Sequence, residues 1–321
     1  MRSVQTQQTM PLSAVKPLEG LCRYRDYCLA ATRRAFRAGA TRRDRSPATG
    51  GPLEPAGDVE GLPYARCPQT GSLFLAELPE PSVWASLLAE VTRFRHSPGA
   101  FHAGLSQSRA DHVYAPKLEW IEDALRLQEV RHPALLEVVT APSDFTALLA
   151  ESGSFSEVIT VDESALAHGR ATGEPPVGAA VCLEALDRAH DPEALLRAAA
   201  ARLADGGLVF VTALVASGFD MAVLGLKNLY LYPPDRANCF SLEGLTRLLR
   251  RVGLTPLEVS TPGVLDVEIV RAHAVADPSL ALSPFERRLL EAGAETHEAF
   301  QTFLQQRGLS SFARLVTRKE P

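Results

Sequence analysis

The chain has 321 residues, of which 46% are hydrophobic and 22% charged, and its formal net charge is −5. This is the composition of a soluble globular protein, and it argues against a membrane-spanning chain because no apolar run approaches the roughly 18 residues of a span. The five cysteines are odd in number and widely scattered, which argues against a disulfide framework and indicates a reducing, cytoplasmic compartment.

Residues 1–45 form a basic extension, because they hold ten Lys or Arg residues against three Asp or Glu. A basic arm on an acidic body could bind nucleic acid, an anionic membrane or an acidic protein. The helical spacing of its aromatic and small residues predicts a helix over about 20–39. We favour the interpretation of this arm as a solvated amphipathic extension, which could also pack on the protein itself. No recognition motif accompanies the arm, so nucleic acid is not the expected partner.

Two segments separate this arm from the last domain. Residues 46–81 hold seven prolines and five glycines, which predicts a small loop-and-hairpin module with two strands around a turn at Pro68–Gly71. Residues 82–132 are helical in pattern and predict a linker or lid with two apolar stripes. The stripes are Trp84, Leu87, Leu88 and Val91, then Leu118, Ile121 and Leu125.

Residues 133–321 alternate short apolar strands with helices. Strands are predicted at 134–139, 156–161, 178–183, 207–213, 255–260 and 312–318, and helices at 143–152, 192–204, 241–252 and 283–305. Continuous apolar strands separated by helices predict a parallel sheet covered on both faces. Ligands of such sheets bind at the carboxyl ends of the strands, which places Val139–Asp144, Asp162 and Leu183–Arg188 around one crevice.

Three segments of this domain resemble the class I S-adenosylmethionine-dependent methyltransferases. LEALDRAHDPEALLRAAAARLADGGLVFVT (183–212) is similar to their fourth strand, next helix and fifth strand, and YPPDRANCFSLEGLTRLLRRVGL (232–254) to the segment before their sixth strand. FQTFLQQRGLSSFARLVTRK (300–319) is similar to the closing helix and strand of a bacterial subgroup with an N-terminal zinc ribbon, which modifies sugars and other biosynthetic intermediates. The resemblance implies an α/β, Rossmann-like, doubly wound and mostly parallel sheet of seven strands.

The resemblance also places a cofactor site at the end of the first strand, where the family has an acidic residue and a G-x-G-x-G loop. Glu137 aligns with the acid, and Val139, Ala141 and Ser143 align with the three glycines. Glycine supplies backbone freedom and lets the main chain approach a nucleoside, so three side chains there oppose ordinary cofactor binding. A positive φ at Val139 would cost about 1–3 kcal/mol. The other positional equivalents are Asp162, Leu183 and Glu184.

The ribbon resemblance carries a similar departure. Ser46, Thr49 and Thr70 stand where three of the family's four cysteines would be, and Cys67 remains. One thiolate and three hydroxyls do not hold structural zinc tightly, so we expect a metal-free ribbon held by apolar packing.

The family's Glu-His pair after the fourth strand is replaced here by Asp187 and Arg188, and a permanently protonated Arg cannot act as a base. If the protein transfers methyl groups, the acceptor is expected near residues 230–238. The candidate bases are then Asp235 and Tyr232.

Three hypotheses cover these patterns. The favoured one is a methyltransferase-like protein that does not methylate and needs no S-adenosylmethionine. It would act as a partner subunit, a scaffold, a homo-oligomer or an enzyme for a different small molecule. The second is an active S-adenosylmethionine-dependent methyltransferase of a sugar or other small biosynthetic intermediate. The third is a protein that binds a polyanion or a partner through its basic arm.

Overall fold

The computed structural model describes residues 17–97, 105–167 and 174–320. Its first half contains α1 (Leu18–Phe36), β1 (Thr41–Arg42), β2 (Glu54–Val59), β3 (Leu62–Arg66), β4 (Leu73–Leu75), β5 (Glu77–Leu78), α2 (Pro81–Arg95), α3 (Ser106–Arg109), a π-helical turn (Ala110–Tyr114) and α4 (Ala115–Leu127). Its second half contains β6 (Ala134–Val138), α5 (Asp144–Glu151), β7 (Glu157–Val161), α6 (Glu163–Ala167), β8 (Val177–Leu183), α7 (Ala185–Arg188), α8 (Pro192–Arg202), β9 (Leu203–Leu214), α9 (Phe219–Leu224), a 3₁₀ turn (Gly225–Lys227), β10 (Asn238–Cys239), α10 (Leu242–Arg251), β11 (Leu254–Ser260), α11 (Asp266–Ala276), α12 (Pro284–Leu290), α13 (Ala294–Arg307) and β12 (Phe312–Lys319).

The main sheet has the strand order β11-β12-β9-β8-β6-β7. Strands β7, β6, β8 and β9 are parallel, and β12 runs antiparallel to β9 and β11. The mostly parallel, Rossmann-like sheet is therefore confirmed, but the described residues form six strands and not the expected seven.

Both faces of this sheet are buried, as the continuous apolar strands predict. Alternate residues of β9 belong to two different cores: Val209 and Val211 pack on one face with α8 and α10, while Phe210 packs on the other face with Trp120 of α4 and Phe145 of α5. An alternating strand with apolar side chains on both sides must be covered by helices on both sides. The doubly wound arrangement follows from this pattern.

A second, antiparallel sheet has the order β10-β4-β3-β2. Strands β3 and β4 are the hairpin predicted around Pro68–Gly71. Strand β10 comes from the methyltransferase-like part of the chain and pairs with β4, so the N-terminal module shares its sheet with the last domain. A β-carbon on Gly244 of α10 would lie 2.3 Å from the Ser72 Oγ, so glycine permits this close approach.

Two helical predictions differ from the structure. The helix expected at 283–305 is divided into α12 and α13, because Gly293 has an extended backbone (φ −74°, ψ 168°) immediately before α13. Helix α11 (Asp266–Ala276) was not predicted. Helix α1 was predicted, with its bounds shifted by two to three residues. No helix in the described ranges is long and apolar enough to cross a membrane.

Candidate functional site

A cavity of about 220 Å³ lies at the carboxyl ends of β6 and β8. The sheet and the loop Val139–Ser143 form its floor. Helices α1, α2 and α4 and the segment 230–236 form its other walls. Nearly all of the expected site residues line it, as the topology of a parallel sheet requires. They are Glu137, Val139, Ala141, Ser143, Leu183, Glu184, Tyr232 and Asp235.

The loop after β6 takes an ordinary backbone path. None of the residues Val139–Ser143 has a positive φ, so the strain considered for Val139 does not arise. The Val139 N–H donates to the Val161 carbonyl oxygen at 2.8 Å, which continues the pairing of β6 with β7 by one residue. Ser143 then caps α5 in a reciprocal pair with Thr146. The loop is thus held by strand pairing and a helix cap, and it contains no left-handed backbone of the kind that only glycine adopts easily.

Glu137 is buried beneath this loop, with 2% of its surface exposed. Its Oε2 has no hydrogen-bond partner. Burial raises the pKa of Glu137, and a hydrogen bond from the Thr146 hydroxyl opposes that effect. A carboxyl group in this state can take a hydrogen bond from a hydroxyl or amino group placed in the cavity.

At the end of β7, the structure places Asp162 outside the cavity and its neighbour Glu163 in the cavity wall. Asp162 is exposed, and its Oδ1 accepts the Ala165 N–H at 2.7 Å, so it caps α6. The carboxylate of Glu163 accepts the main-chain N–H groups of His190 and Asp191, each at 3.2 Å. Both acids are therefore used to fix turns around the crevice.

Glu184 ends β8 in a left-handed conformation, with φ of 55°. Its carboxylate pairs with Arg236 at 2.6 Å and with Lys117 at 3.8 Å. A left-handed backbone is uncommon for a residue other than glycine and persists where surrounding contacts fix it. Glu184 thus ties α4 and the 230–236 segment to the end of the central strand.

Asp187 and Arg188 occupy the position of the family's Glu-His pair. Asp187 is fully buried, and burial raises its pKa to about 7, although the nearby Arg236 opposes the change. Its Oδ2 accepts the Leu214 N–H at 3.0 Å, so it fixes the end of β9. Arg188 lines the cavity, while its carbonyl oxygen accepts a hydrogen bond from the Trp84 indole at 2.9 Å.

The two candidate bases lie together in the cavity wall, but neither is poised to take a proton. Asp235 is buried and forms an ion pair with Arg95, and it accepts a hydrogen bond from the Tyr24 hydroxyl at 3.3 Å. Burial opposes ionisation of Asp235, but Arg95 and other arginines outweigh it and hold its pKa below the ordinary value. Burial and the neighbouring Asp235 hold the pKa of Tyr232 well above 10.0. Asp235 is a weak base and Tyr232 a neutral phenol.

The sequence predicted a linker or lid over 82–132, which includes most of α2, but it did not indicate that α1 contributes to the crevice. Tyr24 and Leu21 of α1 are buried, and Tyr24 accepts hydrogen bonds from Arg95 of α2 at 2.7 and 3.1 Å. Because Arg95 and Asp235 are 140 positions apart, no local pattern could pair them. The helical spacing of Tyr24 and Cys28 predicted that α1 is a helix, but it did not indicate which surface of the protein this helix contacts.

The four ribbon positions are brought together in the structure. Residues Ser46–Gly51 and Cys67–Ser72 form two turns with the same hydrogen bonds, each closed by a glycine with φ near 75°. The Thr49 hydroxyl lies 3.6 Å from the Cys67 Sγ. No cluster of three or more His, Cys, Asp or Glu residues able to hold a metal occurs in the described ranges. One thiolate among hydroxyls is a poor zinc site, so the donor set does not fit that metal.

The comparisons with known proteins agree with this fold. Residues 108–259 match the family model of a methyltransferase domain. A comparison with curated proteins finds no match. One similar solved structure is a sarcosine dimethylglycine methyltransferase from Galdieria sulphuraria, with 15% identity, a TM-score of 0.39, and coverage of 64% of this chain and 86% of that one.

Two further structures are similar in part. The 1,6-didemethyltoxoflavin-N1-methyltransferase of Burkholderia thailandensis has 14% identity and a TM-score of 0.43, and the match covers 84% of this chain and 100% of that one. The [4+2]-cyclase SpnF has 17% identity and a TM-score of 0.35, with coverage of 63% and 80%. The family match confirms, for residues 108–259, the resemblance to the class I S-adenosylmethionine-dependent methyltransferases.

The loop Val139–Ser143 does not fit S-adenosylmethionine in the way that the family's glycine loop does. Val139 and Ala141 place side chains at the cavity surface, and Pro142 fixes a further φ between Ala141 and the helix cap. The main chain cannot approach a nucleoside as closely as a glycine backbone does.

Proposed function

We propose that this protein is a methyltransferase-fold protein that does not transfer methyl groups, and that its crevice binds a different small molecule. The observation that carries the proposal is the loop Val139–Ser143, which has side chains at all three glycine positions and an unstrained backbone of its own. Because no residue of this loop is left-handed, its fold does not require glycine. Its side chains occupy positions where a bound nucleoside requires glycine.

The state of the candidate bases supports the same function. Asp235 is neutralised by Arg95, and the high pKa of Tyr232 keeps its phenol protonated. Neither Asp235 nor Tyr232 is therefore an effective base for the proton that a methyl-accepting substrate would release.

The open cavity favours a ligand-binding role over a purely structural one. A protein kept only as a scaffold could fill the crevice with apolar side chains, which would stabilise its core. Here the cavity walls instead hold the buried charged groups Glu137, Lys117 and Asp235. A partner subunit or a homo-oligomer is compatible with such a ligand, and neither is needed to explain the crevice.

An active S-adenosylmethionine-dependent methyltransferase is the second candidate, and one observation favours it. Glu137 aligns with the family's acid, lines the crevice, and has a buried Oε2 without a hydrogen-bond partner. That oxygen could accept a hydrogen bond from a cofactor, and an acceptor near Tyr230 and Tyr232 would then complete the site.

Calorimetric titration with S-adenosylmethionine and S-adenosylhomocysteine separates the two candidates. We expect no binding by the wild-type chain at millimolar ligand. We expect binding by a V139G/A141G/S143G variant, because glycine restores the close approach of the main chain. Adding Glu137→Gln to that variant is the matched control, and it should weaken the restored binding. Micromolar binding by the wild-type chain would overturn the proposal in favour of the methyltransferase.

A further inference from the structure

Arg188 is a cation of the crevice that lacks a partner within the described part of the chain. Its guanidinium forms no hydrogen bond or ion pair there, and its Nε is buried without an acceptor. A buried, unpartnered nitrogen of a charged group carries a desolvation cost that a native protein ordinarily recovers through some contact.

The other cations that line the cavity are already engaged. Arg95 pairs with Asp235, Arg236 with Glu184 and Asp187, and Lys117 with Glu184. Arg109 donates to the Tyr114 hydroxyl at 3.3 Å and lies over its ring. The nearest acids form their ion pairs with these other cations. Arg188 acts on Asp235 only through its charge, without a hydrogen bond, so its guanidinium N–H groups remain available to a group from outside the chain.

The main chain around Arg188 is fixed, so its side chain starts from a defined place. Its carbonyl oxygen accepts the Trp84 indole hydrogen, and the next carbonyl, that of Ala189, accepts the side-chain amide of Asn238 at 2.8 Å. The preceding residue, Asp187, is bonded to the Leu214 main chain. A side chain that extends from a fixed main chain loses less freedom on binding a ligand than one on a mobile segment.

We propose that the crevice binds a small anionic molecule whose carboxylate or phosphate group pairs with Arg188. The inference rests on the proposed function, because it names the class of ligand that the crevice takes. Arginine presents a planar fork that matches either acid in a two-pronged arrangement, which the histidine of the family does not offer.

The same cavity indicates a second feature of the ligand. Glu137 lines the cavity, and its buried Oε2 has no hydrogen-bond partner, so a hydroxyl or amino group of the ligand that reaches this oxygen can donate to it. The ligand class is therefore an acid that also carries a hydrogen-bond donor, such as a hydroxy acid, an amino acid or a sugar phosphate.

Tryptophan fluorescence provides the test, because the Trp84 indole touches the Arg188 main chain. The probes are lactate, succinate and inorganic phosphate, each titrated at constant ionic strength into the full-length chain. We expect a saturable change in the wild type and binding at least about tenfold weaker in Arg188→Gln. Arg188→Lys, which keeps the charge and loses the fork, should lie between them. The exposed Arg250, which is outside the cavity, supplies the matched control Arg250→Gln, which should bind as the wild type does.

The outcomes distinguish this inference from the function on which it rests. Equal binding by wild type and Arg188→Gln, or no binding of any probe by a folded wild type, overturns the inference. Tighter binding of lactate or succinate than of phosphate would indicate a carboxylate site, and tighter binding of phosphate would indicate a phosphate site. If neither an anion nor S-adenosylmethionine binds, the anionic site is ruled out and the proposed non-methylating function still stands. If S-adenosylmethionine binds and no anion does, both the anionic site and the non-methylating function are ruled out.

Discussion

At the scale of single residues, Cys67 lies among the three hydroxyl groups of the other ribbon positions. Its thiol is buried, which raises its pKa, but hydrogen bonds from Ser46, Thr70 and Thr49 and from the Gln69 main chain outweigh burial and lower the pKa to about 7. The residues that would replace zinc ligands thus stabilise a thiolate by hydrogen bonds. The glycines Gly50 and Gly71 keep the two turns that bring them together.

This lowered pKa predicts a pH dependence of stability. A group whose pKa is lower in the folded state adds stability above that pKa and loses it as the pH falls through about 7. The free energy of unfolding of the wild type, relative to Cys67→Ser, should therefore rise by about 2 kcal/mol between pH 6 and pH 9. Urea denaturation of both proteins at three pH values measures it. A constant difference across that range would show that Cys67 stays a neutral thiol.

At the scale of elements, α1 is a structural wall and not a free basic arm. Arg25 pairs with Glu60 at 2.9 Å, Arg33 pairs with the same acid at 3.5 Å, and Arg34 pairs with Glu90. The apolar side of the helix is buried against α2 and the small sheet. The helix is therefore packed on the protein and not a fully solvated extension, and several of the basic residues of the arm form ion pairs within the molecule.

These pairs predict that the arm does not bind polyanions at physiological salt. At physiological salt the wild type should pass through a heparin column without retention, and the R33E/R34E variant should elute in the same volume. The variant should lose no more than about 1 kcal/mol of stability, since both pairs are exposed. A salt-sensitive retention of the wild type that R33E/R34E abolishes, and that the control Arg250→Glu leaves in place, would restore the polyanion hypothesis.

The same scale shows what the sequence could predict. Apolar runs such as 178–183 and the alternating pattern of 156–161 specify strands by local chemistry, and their order along the chain specifies a parallel sheet. The positions of Glu137, Val139 and Glu184 in the crevice follow from that topology. The Arg95–Asp235 pair and the contact of Tyr24 with Asp235 could not be predicted, because each joins segments far apart in sequence. The seventh strand was implied by the family resemblance alone, because the sequence pattern itself indicated six strands.

At the scale of the whole molecule, the predicted segments are interlocked. Asn238 of β10 donates to the Leu186 and Ala189 carbonyls at 2.8 Å each and accepts from Arg43 of the N-terminal segment. The Tyr64 hydroxyl of β3 donates to the Arg236 carbonyl at 2.7 Å. The N-terminal module, the crevice and the large sheet therefore share one set of buried contacts.

We expect this arrangement to unfold as one unit. Calorimetry should show a single transition that coincides with the far-ultraviolet and tryptophan signals. Asn238→Ala should lower the stability by about 2 kcal/mol, because it leaves buried partners unpaired, without dividing the transition. Two separate transitions in the wild type would show that the segment 46–81 folds independently of the last domain.

The claim that decides the function concerns the loop after β6, and amide NMR measures it directly. In isotope-labelled wild-type protein, the amide signals of Val139, Thr140, Ala141 and Ser143 report on any ligand at this loop. We expect millimolar S-adenosylhomocysteine to leave them unmoved. Shifts of these signals that saturate at micromolar ligand would contradict the account and identify a working methyl-donor site.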